Sequence, residues 1–474
     1  MSDYQIIVIG AGPGGYEAAL HAAKHGAKVA CIEKRDAGGT CLNRGCIPTK
    51  ALLHAAEISR EAKEGAAYGV HAGDVTTDIA EMYAYKNGVT EKLRTGVESL
   101  FKSAKVDYFK GVGQITRVGD GPEGAYGHEV TVTAADGSTQ TITGDNIMIA
   151  TGSVPAMPPI PGLNLPGVMT SDELLDGEPK VYKSLIIIGG GVIGVEIASF
   201  FAELGTEVTI VEGLDRLLPL LDKELGQNLA MMFKKQGVKI NTGAMVKMVE
   251  ADPSAAGENG SGYKVTFTKK DAEESVSAEA VLCAIGRSPF AQGIVAEGID
   301  LEMNRRAVAV GENFATNIPG IYAIGDVSSR IQLAHVATAQ GIVCVDHILG
   351  RENSMDLSVV PSCIYVRPEI ASVGMTEAEA KDAGIEVKVG KAVMGANART
   401  LIMGTGRSFM KVVTRKDNGQ ILGAQFMCEH STDMISQASL AIANKMTAKD
   451  MLRYMRPHPT FEEALTAAVE NAAE

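Results

Sequence analysis

Two cysteines, Cys41 and Cys46, stand five positions apart in Gly38-Gly39-Thr40-Cys41-Leu-Asn-Arg44-Gly45-Cys46-Ile-Pro48-Thr49-Lys50. A thiol pair can carry two electrons as a disulfide, ligate a metal, or simply pack. In a regular helix five residues rise about 7.5 Å, beyond comfortable disulfide reach. Bond formation therefore requires a distorted turn. Gly45 permits one and Pro48 donates no N–H, so the expected pair is a reducible disulfide at the start of a helix, whose N-terminus favours the thiolate. A zinc site would need two further ligands, and no second pair stands at ligand spacing, so no metal is expected. Two unrelated buried thiols remain the competing reading. Cys31, Cys283, Cys344, Cys363 and Cys428 lie in apolar runs or alone and are assigned to packing.

A second group that could do chemistry lies in Arg456-Pro-His458-Pro-Thr-Phe-Glu-Glu463. Prolines on both sides restrict the backbone around His458, and Glu463, five residues on, could orient the ring of an acid/base. Alone, a histidine before proline is more often a turn residue.

Such groups need elements to hold them. Tyr4 to Gly15 reads as a buried strand turning on Gly10, Gly12, Gly14 and Gly15 into a helix to about Lys24, then a strand from Lys28 ending in Glu33. Ser184 to Gly194 repeats the design with Gly189, Gly191 and Gly194, a helix to about Leu204, and a strand from Val208 ending before Glu212. Gly10 to Glu33 and Gly189 to Glu212 both span 23 positions. Each unit would bring N–H groups at a helix start to a pyrophosphate and a carboxylate to a ribose. Two such units imply electron transfer between two cofactors, one of which stays bound. Thr316 to Asp326 reads as a short strand that places a carboxylate against a chain of hydroxyls, and Thr151-Gly152 and Gly286 close apolar strands. From Pro361 a separate α+β region begins, with a strand at Lys411 to Val413 and a packing helix at about Ser436 to Asn444.

At 474 residues the chain exceeds one core, and roughly 150 residues per domain gives three or four domains. Apolar residues make up 45% and charged residues 21%, with no apolar run approaching the ~18 residues of a membrane span. A formal net charge of −13 argues against nucleic-acid binding and suits a basic protein partner. The first strand follows Met1 almost at once, leaving no room for a signal segment, so a cytoplasmic location is expected.

Taken together, in this order and over essentially the whole chain, the motifs resemble the pyridine nucleotide-disulfide oxidoreductase family. The resemblance implies an α/β fold: two Rossmann-like dinucleotide-binding domains with a C-terminal α+β dimerisation domain. It divides the chain into an FAD-binding domain (1–150), an NAD-binding domain (151–280), a central part completing the FAD site (281–350) and a homodimer interface domain (351–474). FAD is expected at the first glycine unit with Gly39, Thr40, Lys50, Gly113, Thr151, Gly152, Ser153, Asp326 and Gln332-Leu333-Ala334-His335. NAD is expected at the second unit with Val246 and Gly286. By the same resemblance Cys41 is the thiol that meets substrate and Cys46 the thiol nearest the flavin. Lys50 and Glu196 form a pair beside both cofactors, and His458 with Glu463 acts in the partner subunit's site.

Within the family, Ile47-Pro-Thr49-Lys50 is similar to the lipoamide-oxidising branch, whereas glutathione reductases usually carry a second Lys at the position of Thr49. Mercuric reductases typically end in a cysteine pair, and Leu465 to Glu474 contains none. Glu212 favours NAD, since it would repel a 2′-phosphate; Arg216 lies four residues beyond. The expected substrate is dihydrolipoamide on a lipoyl domain or carrier protein of a 2-oxoacid dehydrogenase or glycine cleavage complex. A glutathione-type reductase using NADPH, or a component serving chiefly assembly, are the alternatives. Arg44 departs from the aliphatic residue that many relatives carry there.

Overall fold

The computed structural model describes residues 2–122, 124–257 and 260–473. Its first sheet is built on Tyr4–Ile9, whose last four residues are all buried. Such continuous apolar runs suit strands covered on both faces. Strand order is Asp107–Lys110, Val29–Glu33, Tyr4–Ile9, Thr139–Ile149, His128–Thr133, Val112–Arg117, and Ile321–Ala323 also pairs with Thr139–Ile149. The chain thus returns to its first sheet after more than 170 residues spent elsewhere.

A second sheet orders Lys239–Asn241, Glu207–Val211, Ser184–Ile188, Ala280–Cys283 and Val168–Met169, all parallel. Ala280–Cys283 completes it three residues beyond the division expected at 280. A three-stranded antiparallel sheet, Ala244–Ala251 to Ala272–Ala278, leans on this unit. The C-terminal region is α+β: an antiparallel sheet ordered Ser362–Ile364, Ile370–Gly374, Ile421–Met427, Phe409–Arg415, Val387–Val393, covered by helices.

The helix expected from about Ser436 begins at Ser431. Its early turn is capped from outside: Glu369 accepts hydrogen bonds from the Thr432 amide (3.0 Å) and hydroxyl (2.8 Å), a partner that local sequence does not reveal. Among the described residues no helix is long and apolar enough to cross a membrane.

Three helices position the cysteines: α1 (Pro13–Lys24), α2 (Gly39–Arg44) and α3 (Cys46–Glu64). α2 and α3 are separated by Gly45 alone, so the cysteine pair straddles a helix break. Pro48 lies in the first turn of α3, where its missing N–H costs no helical bond. One core joins Leu52 and Ala56 of α3, Val195 and Phe200 of the helix Val192–Glu203, and Ile364 and Val366 of the C-terminal region. All three folding units therefore meet beside the cysteines.

Candidate active site

Cys41 and Cys46 are half-buried free thiols in this structure. A hydrogen bond from Cys41 holds the Cys46 thiol down to about 7, against burial and with help from the Lys50 ammonium. The Cys41 thiol is pushed far up, because it is the donor in that bond and is itself buried. The pair therefore ionises at Cys46 first. Lys50, four residues after Cys46, occupies the same face of α3. Its Nζ lies 2.6 Å from Glu196 Oε2 and 4.8 Å over the Tyr365 ring. Burial opposes the ammonium, but Glu196 more than offsets this and raises Lys50 above its ordinary value. Glu196 in turn accepts the Tyr365 amide at 3.0 Å, tying the second unit to the C-terminal region.

Both glycine units meet the geometry a close backbone turn demands. Gly10 and Gly189 have φ of +108° and +113°. A methyl at Gly15 would lie 1.9 Å from the Gly10 carbonyl oxygen, and one at Gly194 2.0 Å from that of Gly189. Glu33 accepts the amides of Ala11 and Arg35, both at 2.8 Å, while Glu212 accepts those of Gly190 and Leu214. Each carboxylate thus braces its own glycine loop. Gly12 stands beside Gly39 of α2, where a methyl at Gly39 would lie 2.5 Å from the Gly12 Cα. Gly14 contacts Ala337 of the helix Ala334–Ile348, which begins directly after Gln332-Leu333.

Two further expected positions, Ser153 and Asp326, form one network with Arg287: Asp326 Oδ2 accepts the Ser153 hydroxyl at 2.6 Å, and Arg287 donates to Ser153 Oγ and O, both at 2.8 Å. Burial raises Asp326, with Ser153 and Arg287 acting against it. Thr151 Oγ1 donates to the Phe290 carbonyl at 2.6 Å, and Gly152 and Gly286 have φ of +72° and +130°. Thr40 lies within α2. His335 Nε2 lies 2.9 Å from the Pro361 carbonyl. Gly113 is packed against Ile9 and Ile32, and Val246 lies in the apolar core with Ile188 and Val211.

His458 stands apart from the cysteines. Its side chain is 72% exposed, with Nδ1 2.9 Å from Glu463 Oε1, and among the described residues no hydrogen bond joins it to Cys41 or Cys46. Glu463, which opens the helix Glu463–Ala473, also accepts the Thr460 amide; that bond first, then His458, lowers its pKa. Glu463 thereby fixes the proton on Nδ1 and leaves Nε2 outward.

Sequence reasoning missed Arg287, although a cation directly after the strand-closing Gly286 was a readable signal. It also left Arg44 without a role. The side chain is buried, with a guanidinium nitrogen 2.8 Å from Asp36 and 3.7 Å from Asp176, so its charge is matched by carboxylates and it pins α2 in place. Among the other cysteines, Cys31, Cys283, Cys344 and Cys428 are buried, and burial pushes Cys428 up to about 12. Cys363 is only half-buried, at about 11.

The helices facing the crevices share one peculiarity. α1, α2, α3, Val192–Glu203 and Ala334–Ile348 have no side-chain cap and no acidic residue in the first turn. Six others are capped by Asp78, Thr170, Asp222, Thr376, Asn397 and Thr447. Uncapped N–H groups above glycine turns fit the pyrophosphates of bound dinucleotides.

Residues 4–341 match the model of pyridine nucleotide-disulphide oxidoreductases and 360–469 that of their dimerisation domain. The chain belongs to the pyridine nucleotide-disulphide oxidoreductase family. Similar members of this family include a dihydrolipoyl dehydrogenase of Bacillus subtilis, 39% identical with 98% of this chain and 97% of that protein covered. The mitochondrial dihydrolipoyl dehydrogenase of Pisum sativum is 36% identical, covering 98% and 90%. Among solved structures, LpdA from Mycobacterium tuberculosis superposes with a TM-score of 0.87 at 27% identity, covering 98% and 99%. The HOCl-induced flavoprotein disulfide reductase RclA from Escherichia coli gives 0.83 at 29%, covering 98% and 99%. In this oxidoreductase the near pair Cys41 and Cys46 fits a redox disulfide.

Proposed function

We propose that this oxidoreductase is an NAD-dependent dihydrolipoyl dehydrogenase: it oxidises dihydrolipoamide on a lipoyl domain or carrier protein and reduces NAD. The reading is carried by the Cys41–Cys46 pair standing over the Lys50–Glu196 ion pair where the two dinucleotide units meet. It is supported by full-length likeness to dihydrolipoyl dehydrogenases. FAD belongs at the first unit, held by α1, α2, the Ser153–Asp326–Arg287 network and the helix from Ala334; NAD belongs at the second. When bound, the flavin supplies a two-electron relay between the thiol pair and the nicotinamide.

The chain's own residues do the rest. In a homodimer formed through the C-terminal region, His458 of one copy serves the cysteines of the other. Its Nε2 takes the proton of one substrate thiol, and that thiolate attacks Cys41 Sγ, breaking the bond to Cys46 and forming a mixed disulfide. Cys46 departs as a thiolate beside the Lys50 ammonium. The second substrate thiol attacks the substrate sulfur of the mixed disulfide and releases Cys41; His458 hands its proton to the departing Cys41 and takes up the proton of the attacking thiol, so Cys41 leaves as a thiol, Cys46 stays a thiolate and one proton remains on His458. Substrate leaves as the cyclic disulfide, and the cysteines carry its two electrons. Glu463 keeps the His458 ring in the productive tautomer. NAD selection rests on Glu212: Arg216 is engaged by Asp215 at 3.1 Å and the Pro219 carbonyl at 2.9 Å, away from a 2′-phosphate role.

The deciding assay is turnover of purified protein with dihydrolipoamide and NAD, beside glutathione disulfide with NADPH. Fast NADH formation with an inert glutathione reaction is expected, and Cys46→Ser must abolish it. The reverse pattern would overturn both substrate and cofactor choice.

A further inference from the structure

Away from the cysteines, at the far end of α1, His21 and His25 stand four residues apart and so share one helical face. Their rings meet edge to face, with centroids 4.6 Å apart. Asp346, from the helix Ala334–Ile348, reaches into the same spot: its Oδ1 lies 2.8 Å from His21 Nε2, and its side chain is only 8% exposed. One ligand atom from each of the three residues lies within 4.8 Å of the others. Two nitrogens bound to one zinc at about 2.1 Å are at most ~4.2 Å apart, so a modest ring rotation closes the set. His25 can make that rotation, because among the described residues no hydrogen bond holds its ring.

We propose that His21, His25 and Asp346 form a binding site for a divalent transition metal such as zinc or cobalt, clamping the end of α1 to the helix Ala334–Ile348. Two imidazoles and a carboxylate are the ligand set of open-position zinc sites, and imidazole is what separates such metals from magnesium or calcium. Asn353 donates to Asp346 Oδ2 at 2.6 Å, orienting the carboxylate as an outer-shell partner would. Arg351 now lies 3.2 Å from Oδ1, but its side chain is 47% exposed and swings into solvent when a cation takes its place. Both helices start beside the first glycine turn, and the clamp ties their opposite ends together, away from the thiol chemistry.

The test is titration of the oxidised, flavin-loaded protein with cobalt(II), read by equilibrium dialysis and visible absorption. Keeping the Cys41–Cys46 disulfide intact, checked by thiol counting, removes the competing thiol site. One cobalt per chain is expected. Affinity should fall at least about tenfold in His25→Ala and in His21→Ala, and stay unchanged in His54→Ala, an exposed histidine elsewhere. Cobalt should raise the Tm of wild type and leave that of His25→Ala unmoved. Equal uptake by wild type and His25→Ala, or none at millimolar cobalt, would overturn the proposal. Should His21→Ala fold poorly, His25→Ala carries the test, since its ring bonds nothing that the fold depends on.

Discussion

The two glycine units share their turns and their carboxylates but not their surroundings. Around the first, Gly39 of α2 touches Gly12, and the helix Ala334–Ile348 presses so close that a methyl at Gly341 would lie 2.7 Å from the Gly14 carbonyl oxygen. Around the second, a methyl at Gly191 would meet nothing within 4 Å, and Val192, Leu214, Met245 and Ile285 are all exposed. One local design thus sits in two settings, and under the proposed assignment the crowded crevice retains its dinucleotide while the open one exchanges it. Under that assignment the glycine motif seats a pyrophosphate in both, and residence follows from what the rest of the chain lays over it.

The largest expected effect comes from Gly15→Ala. The 1.9 Å approach to Gly10 must push α1 off its strand, so the protein should purify without its yellow colour and with Tm lowered by roughly several degrees. Gly194→Ala makes the same clash in the open unit, and there the flavin should stay, seen in the visible spectrum, while NAD turnover falls about 10²-fold. A colourless Gly194→Ala protein would erase the distinction between the crevices. Next in size is Glu212→Gln, which should lower kcat/KM for NAD about tenfold through KM, by weakening a charge-assisted bond to the ribose.

Lys50 lies where the crevices meet, and its effect is read as a pH midpoint. In the reduced protein Cys46 is a thiolate above pH about 7 and protonates below it. Lys50→Met removes a cation that favours the thiolate, so the midpoint should move upward, followed by thiolate absorbance at 240 nm. An unmoved midpoint would leave hydrogen bonding to the thiolate, chiefly from Cys41, as the cause. Smallest of all, Gly191→Ala adds a methyl that the protein has room for, so Tm should hold while KM for NAD rises about threefold, an effect the ligand alone would feel.

How much of this was legible depended on the range of the force involved. The glycine turns could be read because their cause is local: a positive φ at Gly10 and Gly189, and a neighbouring carbonyl that leaves no space for a Cβ. His458 and Glu463 could be paired because five residues of restricted backbone bring them together. Arg44 could not be read, because the carboxylates that neutralise it sit on the Asp36 loop and at Asp176, and charge pairing across segments leaves no periodic trace. The early start of the helix Ser431–Ala443 was hidden for the same reason, since its capping carboxylate is Glu369.

The sequence by itself therefore determined the two dinucleotide units, the helix-initial cysteine pair and the separate α+β region, all set by backbone sterics, short spacing and hydrophobic pattern. Tertiary structure alone decided that Lys50 meets Glu196 across 146 residues, that Ser153, Arg287 and Asp326 form one network, and that distant segments crowd the first glycine turn while Gly191 of the second has open space beside it. Those outcomes rest on packing between distant helices, where burial makes a few well-placed charges and contacts count for more than their position along the chain.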